Sequence, residues 1–228
     1  MAPLALVAVG VIGVSVGPLS TIGHASSFGG LTAASLGAWT HPVDPIVPLA
    51  AGCDDFDGPG GDLDGRTTPC GSTWVATGSN WSVSNGTVTA TGNAGVATVD
   101  VGSNNATVSV DVIGGAANNR RGGVVIAHSP AGPSYLAAGL EGPDGVRVTL
   151  VSGNTSTTLA TAAVPIGEVA RLVLTRSGAD VSVAVDGLTR VTVTLTDRQQ
   201  AALTGTGAGL FKTQGTPGEF DNFEVTVP

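Results

Sequence analysis

The stretch "CDDFDGPGGDLDGRTTPC" sets five carboxylates, Asp54, Asp55, Asp57, Asp62 and Asp64, within eleven residues of a Gly-rich loop. Hard oxygen donors on a turning backbone suit Ca²⁺. The spacing is not that of an EF-hand, because the Gly at six and the Glu at twelve are missing. A solvated acidic loop whose aspartates cap turns is the competing reading. Cys53 and Cys70 bracket the loop and are the only cysteines of the chain. Their spacing fits no zinc motif and no His lies near them. They read as a disulfide, worth about 3 kcal/mol through loop closure, in a protein that works outside the reducing cytosol. Two unpaired thiols are the alternative.

Glycoside hydrolysis needs two carboxylates flanking one bond, and alternate positions on a strand would supply them. The chain has four Glu: Glu141, Glu168, Glu219 and Glu224. Glu141 and Asp144 fall in the turn "EGPDG", and Glu219, Asp221 and Glu224 do not keep the alternate spacing. His24, His41 and His128 are scattered with no nucleophile motif beside them. His128, closing "VVIAHSP", reads as a strand-edge residue rather than a base. The chain therefore reads as a non-enzyme. Sugar binding asks for an aromatic plate with planar polar groups around it. Trp81 and Tyr135 are the candidate plates, and Asn119, Arg120 and Arg121 in "ANNRRGG" the candidate polar rim. Against this, a Trp in a hairpin with one buried face is commonly core, and the two arginines are equally suited to simple solvation.

Short strands must carry these groups. "ATVSVDVIGG" aligns Val108, Val110 and Val112, and "VRVTLVSG" aligns Val146, Val148 and Leu150. "ADVSVAVDG", "RVTVTLTD" and "FDNFEVTV" continue the same period of two, which marks half-buried antiparallel strands. "VSNG" and "VDGL" are turn signals between them, and "DRQQAAL" is the best helix candidate. The chain is predicted to be all-β, a sandwich or barrel. A net charge of −8 and a pI near 4.5 argue against nucleic acid and against anionic lipid.

Residues 1–52 differ from the rest. No charged residue precedes Asp44, and "HPVDPIVPLAAG" spaces three prolines as an extended linker would. The opening "MAPLALVAVGVIGVSVGPLSTIG" lacks the basic end of an export signal and is too short in apolar run to span a bilayer. "LAAGC" is similar to a lipoprotein cleavage box but lies far from the apolar run. The segment reads as an apolar, strand-prone assembly arm covered by a partner or by self-association, with an atypical export signal or a lipoprotein leader as alternatives. Residues 53–228 form the predicted β domain.

Within that domain, "DDFDG" precedes "WVATGSNWSVSNGTVTATG"; "RRGGVVIAH" precedes "SYLAAGL"; then come "GEVARLVLTRSGADVSVAVDGLTRVTVTLTD", "GAGLF" and "GEFDNFEVTV". This series resembles the concanavalin A-like lectin/glucanase superfamily in its laminin-G-like jelly-roll form. The resemblance implies an antiparallel jelly-roll sandwich whose first and last strands lie side by side and share a structural Ca²⁺. That makes Asp54, Asp55, Asp57 and Asp221 the metal candidates. Glucanases of the superfamily carry a Glu-x-Asp-x-Glu run, and none occurs here. Domains of this form occur in secreted actinobacterial proteins and as modules appended to actinobacteriophage minor tail proteins, in both settings associated with glycan binding. With the apolar arm, the resemblance implies a structural virion protein of the phage tail, its arm bound to other virion proteins and its jelly roll exposed to host envelope glycan. A secreted extracellular carbohydrate-binding protein and a capsid decoration protein are the alternatives.

Overall fold

A computed structural model describes residues 50–114, 121–142, 144–215 and 218–228. The expected arm and most of the linker lie outside the described residues. The first half of the domain contains β1 (Ala50–Asp54), β2 (Gly61–Asp62), β3 (Val75–Thr77), β4 (Asn80–Ser84), β5 (Thr87–Thr91), β6 (Gly95–Asp100), β7 (Ala106–Ile113) and β8 (Arg121–Ser129). The second contains β9 (Ser134–Glu141), β10 (Gly145–Ser152), β11 (Thr155–Ala163), β12 (Val169–Ser177), β13 (Asp180–Val185) and β14 (Leu188–Thr194). After these come the helix α1 (Asp197–Ala202), β15 (Gly207–Lys212) and β16 (Gly218–Thr226). The sandwich already includes Ala50, so β1 begins three residues ahead of the domain start expected at Cys53.

The strands form two antiparallel sheets, a β-sandwich as the alternation predicts. One sheet has nine strands in the order β14-β13-β12-β7-β16-β5-β4-β2, with β1 also on β16; the other has seven in the order β11-β10-β9-β8-β15-β6-β3. The last strand, β16, pairs with β7 along one edge. Its first half pairs with β5 and its second half with β1. First and last strands therefore lie side by side, as the resemblance implies.

The core sits between the sheets. From the nine-stranded sheet it takes Val108, Val110 and Val112 of β7, Leu172 and Leu174 of β12, and Val181, Val183 and Val185 of β13. From the other it takes Ala97, Val99, Ile126, Leu136, Leu140 and Leu210. These are the alternate positions of their strands, which is why a period of two specifies the sandwich. The turns are built as the sequence signals: Asn85-Gly86 and Asp186-Gly187 each take two positive φ angles, the two-residue hairpin that twisted strands favour. The helix starts at a capping box, with Gln199 N–H donating to the Thr196 hydroxyl and Thr196 N–H to the Gln199 side chain.

Trp81 belongs to this core. It is 3% exposed, and its ring stacks on Phe220 with centroids 6.2 Å apart. The expected role as an exposed sugar plate is corrected here: β4 alternates exposed Asn80, Ser82 and Ser84 with buried Trp81 and Val83, so the register turns Trp81 inward. Trp74 is fully buried beside Phe56 and Phe223.

Candidate functional site

The seven-stranded sheet has a second populated face. Val96, Val125 and Ala137, with Tyr135 and Phe211 against them, form an apolar cluster separate from the main core. Above them lies a cleft of about 800 Å³, within the usual size of ligand sites. Its floor is open because small residues occupy the outward positions. In "GAGLF", Ala208 and Leu210 enter the core while Gly207 and Phe211 line the cleft. Gly139 is overlain by the Phe211 ring, whose Cζ stands 2.6 Å from where a Cβ would be.

One end of the cleft is made by a β-bulge. Strict alternation along β8 would send Ala127 outward and His128 into the core. Ala127 instead takes φ 59°, and the register of β8 shifts against both β9 and β15 at this point. The shift buries Ala127 and brings His128 to the cleft. A non-glycine residue at such a φ costs on the order of 1–3 kcal/mol, which the surrounding strands must offset. Gly205 lets the preceding loop cross the bulge, since a Cβ there would lie 2.2 Å from the His128 carbonyl oxygen.

His128 is 7% exposed, its Nδ1 is 3.3 Å from the Thr98 hydroxyl, and its ring faces Tyr135 with centroids 5.8 Å apart. Burial pushes the His128 pKa below its ordinary value and the Tyr135 pKa above its own, so both are neutral near pH 7. Asp100 accepts from the Thr206 hydroxyl and from Gly102 N–H, which hold its carboxyl below the usual range. Glu141 and Arg147 form an ion pair. Lys212, the only lysine in the chain, is 1% exposed and donates to the carbonyls of Gly92, Thr213 and Asn93 at 2.8, 3.1 and 3.2 Å. Burial lowers its pKa. Of the expected sugar-contact residues, Tyr135 lines this cleft. Asn119 and Arg120 lie outside the described residues. Arg121 opens β8 opposite Glu141 in the ladder with β9. Phe211 and His128 were not singled out as sugar contacts by sequence; the spacing of Gly207 and Phe211 around core-facing Ala208 and Leu210 was the available signal.

The acidic loop lies elsewhere, against the junction of β1 and β16. Cys53 and Cys70 are joined in a disulfide, with Cα atoms 5.5 Å apart. Asp54 is 1% exposed and fully engaged: Phe56 N–H donates to Oδ1 at 2.9 Å, and the Trp74 indole N–H to Oδ2 at 2.8 Å. Arg66 approaches the same Oδ2 at 3.7 Å. Asp54 is thus a buried acceptor that fixes Trp74, each of its oxygens already taking one hydrogen bond. Asp55 accepts from Asp57 N–H at 3.2 Å in a local turn. The Asp221 carboxyl is pushed up by burial, against the pull of Asn222 N–H, with Asp111, Asp57 and Asp55 adding repulsion. Arg171 balances part of this charge, lying 3.2 Å from Asp111 and 3.9 Å from Glu224. Among the described residues, no three acidic, His or Cys side chains converge as metal ligands.

No family model matches the chain, and no curated protein does. Its fold is that of known structures. Carbohydrate-binding module CBM66 from Bacillus subtilis aligns with a TM-score of 0.58 at 12% identity, over 68% of this chain and 95% of that one. The GH43 protein BlXynB from Bacillus licheniformis aligns with a TM-score of 0.55 at 17% identity, over 78% of this chain and 39% of its own. A xylan β-1,4-xylosidase from Bacillus halodurans gives a TM-score of 0.52 at 13% identity, over 82% of this chain and 41% of its own. The chain thus spans about two-fifths of the length of the latter two. At these identities the likeness is one of fold, an antiparallel two-sheet jelly-roll sandwich.

Proposed function

We propose that the domain is a non-enzymatic glycan-binding module whose ligand lies in the cleft of the seven-stranded sheet. The cleft carries the proposal: an open floor with two aromatic side chains, Tyr135 and Phe211, suits the C–H face of a sugar. The match to a carbohydrate-binding module over 95% of that module's length supports it. The acids on the cleft support a binding role over hydrolysis. A general acid needs a raised pKa, whereas Asp100 is held below the usual range. The finer reading is a phage tail protein that presents this module to host envelope glycan. Its support is the uncharged, apolar segment ahead of Asp44, which needs a covering partner. A secreted glycan-binding protein is the alternative, and co-sedimentation with particles separates the two.

A glycan array with the full chain, followed by calorimetric titration of the best binder, tests the module. Tyr135→Ala and Phe211→Ala are each expected to weaken binding about tenfold or more, as loss of a stacking plate should, with the tryptophan fluorescence of the chain unchanged. An array with no binder would end the proposal.

A further inference from the structure

Gly122, Gly123, Gly139 and Gly209 lie within the seven-stranded sheet, and they do not serve the same end. A Cβ on Gly209 would lie 2.0 Å from the Ala97 carbonyl oxygen, one on Gly123 2.1 Å from that of Ala138, and one on Gly122 2.8 Å from that of Phe211. The sheet itself requires those glycines, because a neighbouring backbone approaches too closely for any side chain. Gly139 differs. It does not take a positive φ, so its backbone suits any residue. A Cβ there would first meet the far end of one side chain, with Phe211 Cζ at 2.6 Å and Cε1 at 3.3 Å, and the Gly122 carbonyl oxygen at 3.3 Å.

This contact shows how Phe211 lies. Phe211 is in β15, its ladder partner Gly123 is in β8, and Gly123 pairs in turn with Gly139 in β9. Neighbouring strands stand about 4.8 Å apart, so a side chain rooted on β15 that reaches Gly139 crosses the whole width of β8. The Phe211 side chain is therefore laid along the cleft floor and does not stand above its own strand. Gly123, on that path, is buried. Val96, Val125 and Ala137 pack with the ring. Phe211 and Gly139 both line the cleft.

We infer that Gly139 is a positioning residue for the glycan: its missing side chain is the seat of the Phe211 ring and holds that ring low in the cleft as a stacking plate. The inference rests on the glycan-binding reading above and adds a residue that acts through Phe211. A binding plate must be held in place by what surrounds it. A methyl group at position 139 would push up the ring tip, which can swing where backbone cannot, and the ring would enter the space of the sugar. Fold and binding then separate. Ala is the better strand residue, so the sandwich keeps or gains stability while the site loses affinity.

The test uses the full chain and the methyl glycosides of glucose, galactose, mannose and rhamnose, titrated by ligand-observed NMR. Gly139→Ala should weaken the best-bound of these about threefold or more, through a misplaced plate, with a melting temperature equal to or above that of the native protein. In a Phe211→Leu background, whose shorter side chain leaves no ring to displace, the same change should have no further effect. Independently of any sugar, the Gly139 Hα resonances should be shifted upfield by the ring and should return toward ordinary values in Phe211→Leu. If Gly139→Ala binds as the native protein does while Tyr135→Ala and Phe211→Ala still weaken binding, the inference is overturned and the glycan module stands. Equal losses in the Phe211 and Leu backgrounds would overturn it too, as distortion of the sheet. So would a fall in melting temperature, which would mean that the fold needs the glycine. If none of the four glycosides binds the native protein and the glycan array is blank, the inference falls together with the module reading.

Discussion

Asp54, Asp221, Trp81 and Tyr135 show how residues of one type divide by position. Asp54 is spent on Trp74 and the backbone of Phe56, a structural carboxylate. Asp221 faces other acids and is held above the usual carboxyl range by burial first and by Asp111, Asp57 and Asp55 after it. A raised folded-state pKa means the protonated form is the better accommodated one. Its stabilising share is complete below the unfolded pKa, about 3.9, and is lost as pH rises through the folded value. Asp221→Asn keeps an acceptor for Asn222 N–H and removes the repelled charge. We expect it to raise the melting temperature at pH 7 in EDTA by at most about 2–4 °C, a gain that disappears near pH 4. Differential scanning calorimetry at both pH values, with and without Ca²⁺, decides the matter. If Ca²⁺ stabilises only the wild type and reverses the order, a cation uses Asp221 after all. The Trp81 outcome was legible: "NWSVS" alternates polar and apolar residues, and Trp81 shares its face with Val83. Tyr135 had no such flag, because β9 is covered on both faces and its alternation is blurred.

Elements made the site in a way that local pattern does not reveal. The periods in β7, β10 and β13 were readable because one face of each is mainly apolar and the other mainly polar. In β8 nearly every described side chain is buried, since the strand has the core on one side and the cleft floor on the other. A continuous apolar run specifies a central strand but carries no face assignment. The bulge at Ala127 then inverts the facing of His128, and nothing in "VVIAHSP" announces it, because positive φ is ordinarily signalled by Gly or Asn. The glycine that matters sits across the loop. Gly205→Ala would set a Cβ against backbone atoms of His128 and Ser129 at 2.2–2.5 Å. Backbone cannot yield as a flexible side-chain tip can, so a loss of about 1–3 kcal/mol is expected, in the range of overpacking. Urea denaturation measures it. Because the strain falls on the bulge, the surviving folded fraction should also lose affinity for the glycan, whereas Gly153→Ala, a turn glycine off the cleft, should not.

At the scale of the molecule, the sandwich closes by pairing its first strand with its last, and the disulfide sits on that closure. Cys53 lies in β1 opposite Glu224 of β16 and is tied to Cys70, 17 residues on. All-β class and the terminal pairing followed from the alternating strands and the family resemblance. The strand order, with β16 inserted between β7 and β5, depends on long-range packing that a local pattern does not encode. A loop of this length should contribute roughly 3 kcal/mol by restricting the unfolded chain. For a domain of this size, that corresponds to a fall of about 6–12 °C in melting temperature when the bridge is reduced or when both cysteines are changed to Ser. The residues from Cys53 to Cys70 contribute no side chain to the cleft. Glycan affinity measured at 20 °C, well below either transition, should therefore be the same in oxidised and reduced protein. A parallel loss of affinity on reduction would mean that the closure at β1 and the face of the opposite sheet are mechanically coupled. An unchanged melting temperature would mean that the native ladder between β1 and β16 already supplies the constraint.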